Sequence, residues 1–111
     1  MFKDQSIVLR RLAVSLRKTG HFLEARDQYT LSIHAADLLG KEGKILKANS
    51  LNSLGNMYLN LEEFELARTN YQDALAIYED QEHSEGIASC LNNLALIYSR
   101  TGQYAEAYPY L

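Results

Sequence analysis

The sequence repeats one pattern of small and apolar residues three times, and this repetition limits the fold more strongly than any other feature. The central copy opens with Leu51, Leu54, Gly55 and Tyr58. All of its positions recur 42 residues earlier and 40 residues later. The central copy continues with Phe64, Ala67 and Tyr71. The first copy consists of Leu9, Leu12, Ala13, Leu16, Phe22, Ala25 and Tyr29. The third copy consists of Leu91, Leu94, Ala95, Tyr98, Tyr104, Ala107 and Leu111. Such a chain is an array of one structural unit.

Each copy predicts two amphipathic helices joined by a tight turn. Leu51, Leu54 and Tyr58 follow the i, i+3, i+7 spacing of one helix face, and Ala67 with Tyr71 marks the facing stripe of a second helix. The turns lie at Thr19-Gly20, Leu61-Glu62 and Thr101-Gly102. Glycine suits the left-handed residue that ends a helix, so the turn with glutamate is expected to be less favourable. We expect helices at about 5–18, 23–39, 43–60, 63–79, 85–100 and 104–111.

Composition and charge argue against several classes of protein. The formal net charge is −3, divided as +2 on residues 1–40 and −5 on residues 41–111, which is not the basic footprint of a nucleic-acid binder. The single cysteine, Cys90, cannot form an internal disulfide and fits a reducing compartment. The chain shows neither a signal-peptide pattern nor an apolar run near the ~18 residues that cross a bilayer. We therefore expect a cytoplasmic protein without nucleic-acid or membrane partners.

The repeated positions resemble the tetratricopeptide repeat, in which a large residue and Leu-Gly-x-x-Tyr are followed by Ala-x-x-x-Phe. Leucine stands here for the usual tryptophan, and the copies are 40 to 42 residues apart instead of the usual 34 or so. This spacing is similar to the longer-helix branch of kinesin light chains, Leu-Gly-Asn polarity adaptors and bacterial signalling regulators. The resemblance implies an all-α fold, a right-handed α-solenoid of antiparallel helix pairs with about 2.5 repeats.

We expect residues 1–111 to form a single array, with repeat 1 at about 4–40, repeat 2 at about 43–80 and a partial repeat 3 at about 84–111. A unit of this kind buries its apolar face only by stacking on its neighbours. The third unit stops at Leu111, which leaves Tyr104, Tyr108 and Leu111 partly uncovered. Two hypotheses follow: the natural protein continues beyond Leu111, or the chain forms a homo-oligomer through this end.

An asparagine stripe is the best candidate for function. Asn49, Asn52, Asn56 and Asn60 share one face of the third predicted helix, within a sector of about 80°. Asparagine is a poor helix former, so four on one face need a reason. In the family that the repeat resembles, the first helix of each unit lines a concave groove. The corresponding candidate binding residues are Arg10, Arg17, Asn49, Asn52, Asn56, Asn60, Ser89, Asn92, Asn93, Leu96 and Arg100.

Two interpretations of the stripe remain open. In the first, the amides form a ladder that grips the backbone of an extended peptide, since each amide offers donors and an acceptor. Arg10 and Arg17 would then favour a partner with acidic residues. In the second, the stripe is a solvated polar face with asparagine hydrogen bonds between repeats. The resemblance does not extend to a chaperone-type carboxylate clamp, because Asn52 stands where that clamp has a lysine.

No catalytic or cofactor site is predicted. His21, His34 and His83 lie in different units without ligand-spaced partners, so no metal site is expected. Cys90 is expected to be a packed thiol, and the sequence has no phosphate-binding loop, nucleophile elbow or catalytic carboxylate pair. We therefore expect no enzyme and no cofactor.

Three functional hypotheses follow from this pattern. The first is a protein–protein interaction scaffold that binds an extended peptide in its groove. The second is a sensor or regulatory segment of a larger signalling or transcription-regulating protein. The third is a self-associating structural fragment.

Overall fold

The structure is a computed structural model that describes residues 1–102, and within them it contains five α-helices, one short 3₁₀ helix and no strand. The α-helices are α1 (Phe2–Lys18), α2 (Phe22–Asp37), α3 (Lys44–Asn60), α4 (Phe64–Asp80) and α5 (Ser84–Arg100). The 3₁₀ helix, Gly40–Gly43, occupies the segment that we expected to be a simple connection. Predicted helix ends agree with the observed ones to within three residues. The predicted helix at 104–111, and with it the apolar end proposed for self-association, lies outside the described residues.

Three helices end in the same hydrogen-bonded turn. After α3, Glu62 adopts a left-handed φ of +59°, its N–H donates to the Leu59 carbonyl, and the Glu63 N–H donates to the Tyr58 carbonyl. This is the Schellman arrangement, which satisfies carbonyl groups left open at a helix end. The turn with Glu62 was predicted from its place in the repeat. Gly20 and Glu82 repeat the arrangement after α1 and α4, and the left-handed Glu82 was not predicted.

The helices form two layers, and the array curves toward one of them. The inner layer consists of α1, α3 and α5, which contact one another in succession. The outer layer consists of α2 and α4, which pack between the inner helices and barely touch each other. Because inner helices are neighbours and outer helices are spread apart, the exposed side of the inner layer is concave. The described residues therefore form an all-α solenoid, as the sequence indicated.

Buried tyrosines and small residues build the core. Tyr71 of α4 packs so closely on Gly55 of α3 that an added Cβ would lie 2.7 Å from the Tyr71 ring. This contact explains the glycine in the middle of α3, where α1 and α5 have alanine. The first-copy leucine Leu12 is 46% exposed, whereas its counterparts Leu54 and Leu94 are buried. Within residues 1–102 no outer helix covers that side of α1.

A chain of three serine hydroxyls joins α1, α2 and α3. Ser32 donates to the Ser6 carbonyl at 2.7 Å, and its hydroxyl lies 2.7 Å from that of Ser50. All three serines are buried. The counterparts at the next interface between units are Ala48, Ala74 and Cys90, which belong to one apolar cluster. The two interfaces therefore use the same positions with different chemistry.

Across the described residues, every helix is too short or too polar to span a lipid bilayer.

Candidate functional site

The structure places all of the predicted binding residues on the inner layer. Arg10 and Arg17 lie on α1, Asn49 to Asn60 on α3, and Ser89 to Arg100 on α5. We call the solvent-facing side of these three helices the inner face. Arg10 and Arg17 of α1 and the first three asparagines of α3 are half-buried, whereas Asn60, Asn92, Leu96 and Arg100 are exposed.

Two asparagines of the stripe are hydrogen-bonded to buried tyrosines of α4. Tyr71 donates its hydroxyl to Oδ1 of Asn56, and Tyr78 donates to Oδ1 of Asn49, each at 2.5 Å. Such a short contact is typical of O–H···O and shorter than N–H···O bonds, so the amide oxygens face the tyrosines. Burial raises the pKa of Tyr71, and it raises the pKa of Tyr78 to about 12. Both hydroxyls therefore stay protonated as donors at neutral pH.

Asn52 joins α3 to α5. Its Nδ2 donates to the Ser89 hydroxyl at 3.0 Å, and its Oδ1 accepts from Asn93 at 3.1 Å. The buried Cys90 thiol also points to this oxygen, at 3.8 Å. The Nδ2 of Asn93 lies within 3.4 Å of Oδ1 of Asn56 as well. Both ends of the Asn52 amide are thus engaged within the protein.

Asn60 performs a similar role between α1 and α3, since its Oδ1 accepts a hydrogen bond from Arg17 at 2.9 Å. All four asparagines of the stripe therefore accept hydrogen bonds from other helices. Asn52 and Asn60 make bonds between repeats, which the second interpretation names, whereas Asn49 and Asn56 bond to tyrosines of their own repeat. These contacts also explain why poor helix formers stand at these positions. Peptide binding by the same residues stays a prediction.

Repeat 1 lacks the corresponding tyrosine–asparagine pair. Tyr29 is the counterpart of Tyr71, but Val14 stands where repeat 2 has Asn56. The Tyr29 side chain is fully buried, and within residues 1–102 its hydroxyl makes no hydrogen bond. The Arg17 guanidinium lies beside it without meeting hydrogen-bond geometry, and Arg17 Nε is also buried without a partner. Burial raises the pKa of Tyr29, and the positive charges of Arg17 and Arg10 oppose that rise.

Charge is sorted between the two layers. The inner helices carry eight Lys/Arg and two Asp/Glu, whereas the outer helices carry two Lys/Arg and seven Asp/Glu. Arg10, Arg17 and Arg100 are the charged side chains that oppose the raised pKa values of Tyr29, Tyr71 and Tyr78. The net charges of residues 1–40 and 41–111 do not show this pattern, because each range contains helices of both layers. Counting charge helix by helix, with the first and second helix of each unit kept apart, would have revealed it.

The remaining polar and reactive groups serve the structure. Burial raises the pKa of the Cys90 thiol to about 12, so it is not a thiolate nucleophile at neutral pH. Nδ1 of His83 accepts a hydrogen bond from the Gly86 N–H at the start of α5, and its ring stacks on Tyr78. Among residues 1–102, no three His, Cys, Asp or Glu side chains are grouped as metal ligands.

A cavity of about 620 Å³ lies away from the inner face, between α2, the 3₁₀ helix, α3 and α4. Its apolar floor includes Ala36 and Ile77. Two ion pairs stand at its rim: Lys47 with Asp37 at 3.0 Å and Lys44 with Asp80 at 3.5 Å. These exposed pairs contribute little to stability.

The sequence is similar to one protein family and to several curated proteins. The family model described as Tetratricopeptide repeat matches residues 46–111. The Photosystem I assembly protein Ycf3 of Prochlorococcus marinus (strain MIT 9215) is 29% identical over 104 residues, which cover 94% of this chain and 54% of that protein. Protein KINESIN LIGHT CHAIN-RELATED 1 of Arabidopsis thaliana is 29% identical over 103 residues, or 91% of this chain and 17% of that protein. The chain thus spans about half or less of these relatives.

Solved structures show the same fold. The TPR domain of Arabidopsis FLU superposes with a TM-score of 0.88 at 15% identity, covering 99% of this chain and 91% of that one. BtubC (BKLC) of P. vanneervenii gives a TM-score of 0.85 at 20% identity, covering 96% of this chain and 43% of that one. At these identities the likeness concerns the fold alone.

Proposed function

The chain belongs to the tetratricopeptide repeat family, and from this premise we propose that it is a protein-interaction module that holds an extended, acidic segment of a partner protein against its inner face. Tetratricopeptide repeat proteins generally mediate protein–protein interactions. The finer statement, an acidic segment on the inner face, rests on the distribution of charge in this chain.

The sorting of charge between layers is the observation that carries the proposal. The whole chain is acidic, with a formal net charge of −3, yet its inner helices have an excess of six positive charges. Of their eight Lys/Arg, Lys44 and Lys47 pair with aspartates of the outer layer away from the inner face, so the charge of that face rests on the other cations. The inner face is concave, so an extended segment on it meets residues of all three inner helices. An acidic segment is attracted to this face and repelled by the outer layer. Such complementarity steers encounter and selects partners more than it sets affinity.

Charge reversal tests the proposal. The probe is a fluorescent, short capped peptide of alternating glutamate and alanine, and its binding to the full chain is followed by anisotropy at low salt. Arg10→Glu and Arg17→Glu should each weaken binding by about tenfold. Arg26→Glu makes the same charge change on α2 of the outer layer and should leave binding nearly unchanged.

The proposal would be contradicted if Arg26→Glu weakened binding as much as Arg10→Glu and Arg17→Glu do. It would also be contradicted if a lysine–alanine peptide bound as tightly as the glutamate–alanine peptide. Circular dichroism of each variant checks that the helices are retained.

A further inference from the structure

We infer that the cavity between α2, the 3₁₀ helix, α3 and α4 binds a small organic carboxylate, in which one anionic group is joined to an apolar alkyl or aryl body. The cavity has a volume of about 620 Å³, which is within the range of small-molecule sites. It lies away from the inner face. The site is therefore separate from the proposed function and does not depend on it.

The cavity is a feature of one junction between units. The segment between α2 and α3 spans residues 38–43, whereas the equivalent segment between α4 and α5 spans only residues 81–83. The longer segment forms the 3₁₀ helix, whose Gly40 and Gly43 line the cavity. Gly43 packs so closely on α2 that an added Cβ would clash with the Ala36 carbonyl oxygen. The junction between α2 and α3 thus has a wall that the junction between α4 and α5 lacks.

The floor of the cavity favours an apolar occupant. Ala36, Ala76 and Ile77 line it, and their side chains have neither hydrogen-bond donors nor acceptors. A peptide chain buried against these side chains would leave backbone N–H and C=O groups without partners, which costs free energy. An alkyl or aryl group has no such groups and is stabilised when its surface leaves water. The occupant is therefore a small molecule and not a peptide segment.

Two of the three lysines at the rim are already paired. Lys47 contacts Asp37 at 3.0 Å, and Lys44 contacts Asp80 at 3.5 Å. These pairs neutralise both acidic side chains of the lining. A cationic ligand would have to displace a lysine from its aspartate, so the rim disfavours cations.

Lys41 is the remaining charged residue of the lining. Within residues 1–102 it makes no ion pair. The adjacent Glu42 lines a different cavity, together with Ile45 and Leu46. One positive charge therefore remains for a ligand. A carboxylate at the rim pairs with Lys41 while its apolar body covers the floor, and a neutral ligand of the same shape lacks this pair.

Nuclear magnetic resonance tests the site with octanoate as the probe. The full chain, labelled with ¹⁵N, is titrated at neutral pH, and the backbone amide signals of the cavity lining are followed. We expect saturable shifts of the Ala36, Lys41 and Ile77 signals. Octanamide has the same length without the charge and should bind about two- to fivefold more weakly. Octylammonium should bind more weakly still, because the rim holds an unpaired cation.

Three results would overturn the inference. The first is that octanoate leaves these signals unchanged. The second is that octanamide or octylammonium binds as tightly as octanoate. The third concerns an acetylated tripeptide that ends in leucine with a free carboxylate. If this peptide shifts the same signals and binds more tightly than octanoate, the cavity receives the C-terminus of a partner protein instead.

Two pairs of variants locate the binding. Lys41→Glu should weaken octanoate binding about five- to tenfold, whereas Lys18→Glu, the same change at an exposed lysine of α1, should leave it nearly unchanged. Ala76→Phe fills the cavity from an exposed position of α4 and should abolish the shifts, and Ala88→Phe is its control on α5. Circular dichroism checks that the helices are retained. An equal loss of binding in a variant and its control would contradict a site in this cavity.

Discussion

Tyr71 and Asn56 lie on different helices, and the hydroxyl of Tyr71 donates a 2.5 Å hydrogen bond to Oδ1 of Asn56. The Tyr71 ring reaches this position by packing on Gly55, where the inner helix has no side chain. One contact therefore joins the buried core to the inner face. Changes to either residue are expected to affect stability and binding together.

Removing the Tyr71 hydroxyl should destabilise the protein. Tyr71→Phe loses one buried hydrogen bond, and we expect the free energy of unfolding to fall by about 1 kcal/mol. Tyr29→Phe is the matched control, because the Tyr29 hydroxyl is buried and makes no hydrogen bond to any residue that the structure describes. That substitution should be neutral or stabilising. Denaturant unfolding measures both, and a larger loss in Tyr29→Phe would contradict the assignment of partners.

Giving the Tyr29 hydroxyl a hydrogen-bond partner should offset part of the cost of the substitution that supplies this partner. Val14→Asn places in repeat 1 the residue that repeat 2 has at Asn56. We expect the substitution to be less destabilising in the wild-type chain than in the Tyr29→Phe background, by about 1 kcal/mol. A double-mutant cycle from denaturant unfolding measures this coupling, and additive effects would exclude a bond between the two side chains.

A methyl group at position 55 should not be tolerated. Alanine is usually the better helix former, but a Cβ at Gly55 would stand 2.7 Å from the Tyr71 ring. We expect Gly55→Ala to lower the free energy of unfolding by about 1–3 kcal/mol. The loss should shrink when Tyr71→Leu is combined with it. An unchanged or raised stability of the single variant would show that the ring moves aside without cost.

The serine chain should be sensitive to single changes and tolerant of joint replacement. Ser32→Ala leaves the Ser50 hydroxyl without its 2.7 Å partner and is expected to cost about 1–2 kcal/mol. Replacing Ser6, Ser32 and Ser50 together by alanine removes the donors and acceptors at once, and the next interface already has Ala48 and Ala74 at two of these positions. We expect the triple variant to be no less stable than Ser32→Ala in thermal unfolding. A triple loss equal to three single losses would contradict this.

Stability should fall at high pH. Burial raises the pKa values of Tyr29 and Tyr71, and raises those of Tyr78 and Cys90 to about 12 from unfolded values of 10.0 and 9.0. The folded state then binds more protons than the unfolded state above about pH 9, so the free energy of unfolding decreases as pH rises. Below about pH 9 these groups contribute no slope.

Tyr78→Phe isolates one group in that profile. It should reduce the slope between about pH 10 and 12 by up to about 1.4 kcal/mol per pH unit. Cys90→Ala should reduce the slope from about pH 9 upward. Urea unfolding at several pH values measures both slopes, and an unchanged slope in either variant would show that the corresponding group is not shifted.

Local pattern was enough to predict the helices and most turns. Leucine and tyrosine spacing located five helices, and the repeat placed a left-handed residue at Glu62. The second such residue, Glu82, was missed although Gly40, 42 residues earlier, marks the equivalent position with a glycine of positive φ. The 3₁₀ helix at Gly40–Gly43 was missed because its short segment has no periodicity of its own.

The position of the asparagine stripe on the inner layer could be predicted from the sequence, but its contacts could not. The stripe from Asn49 to Asn60 was recognised because period, helix face and poor helix propensity are properties of the sequence alone. Side chains from other helices decide the hydrogen bonds of these amides. Tyr71, Tyr78 and Asn93 donate to the side-chain oxygens of Asn49 and Asn56.

By itself the sequence determined the helical array, because repeated apolar spacing admits one way of burying those faces. The tertiary structure decided how the amides are hydrogen-bonded, since the tyrosine donors lie 15 and 29 residues away along the chain. It also placed α1, α3 and α5, which together carry a net positive charge, in one layer and the negatively charged α2 and α4 in the other. Hydrogen-bond direction and charge grouping depend on which helices become neighbours in space, and that is a property of packing.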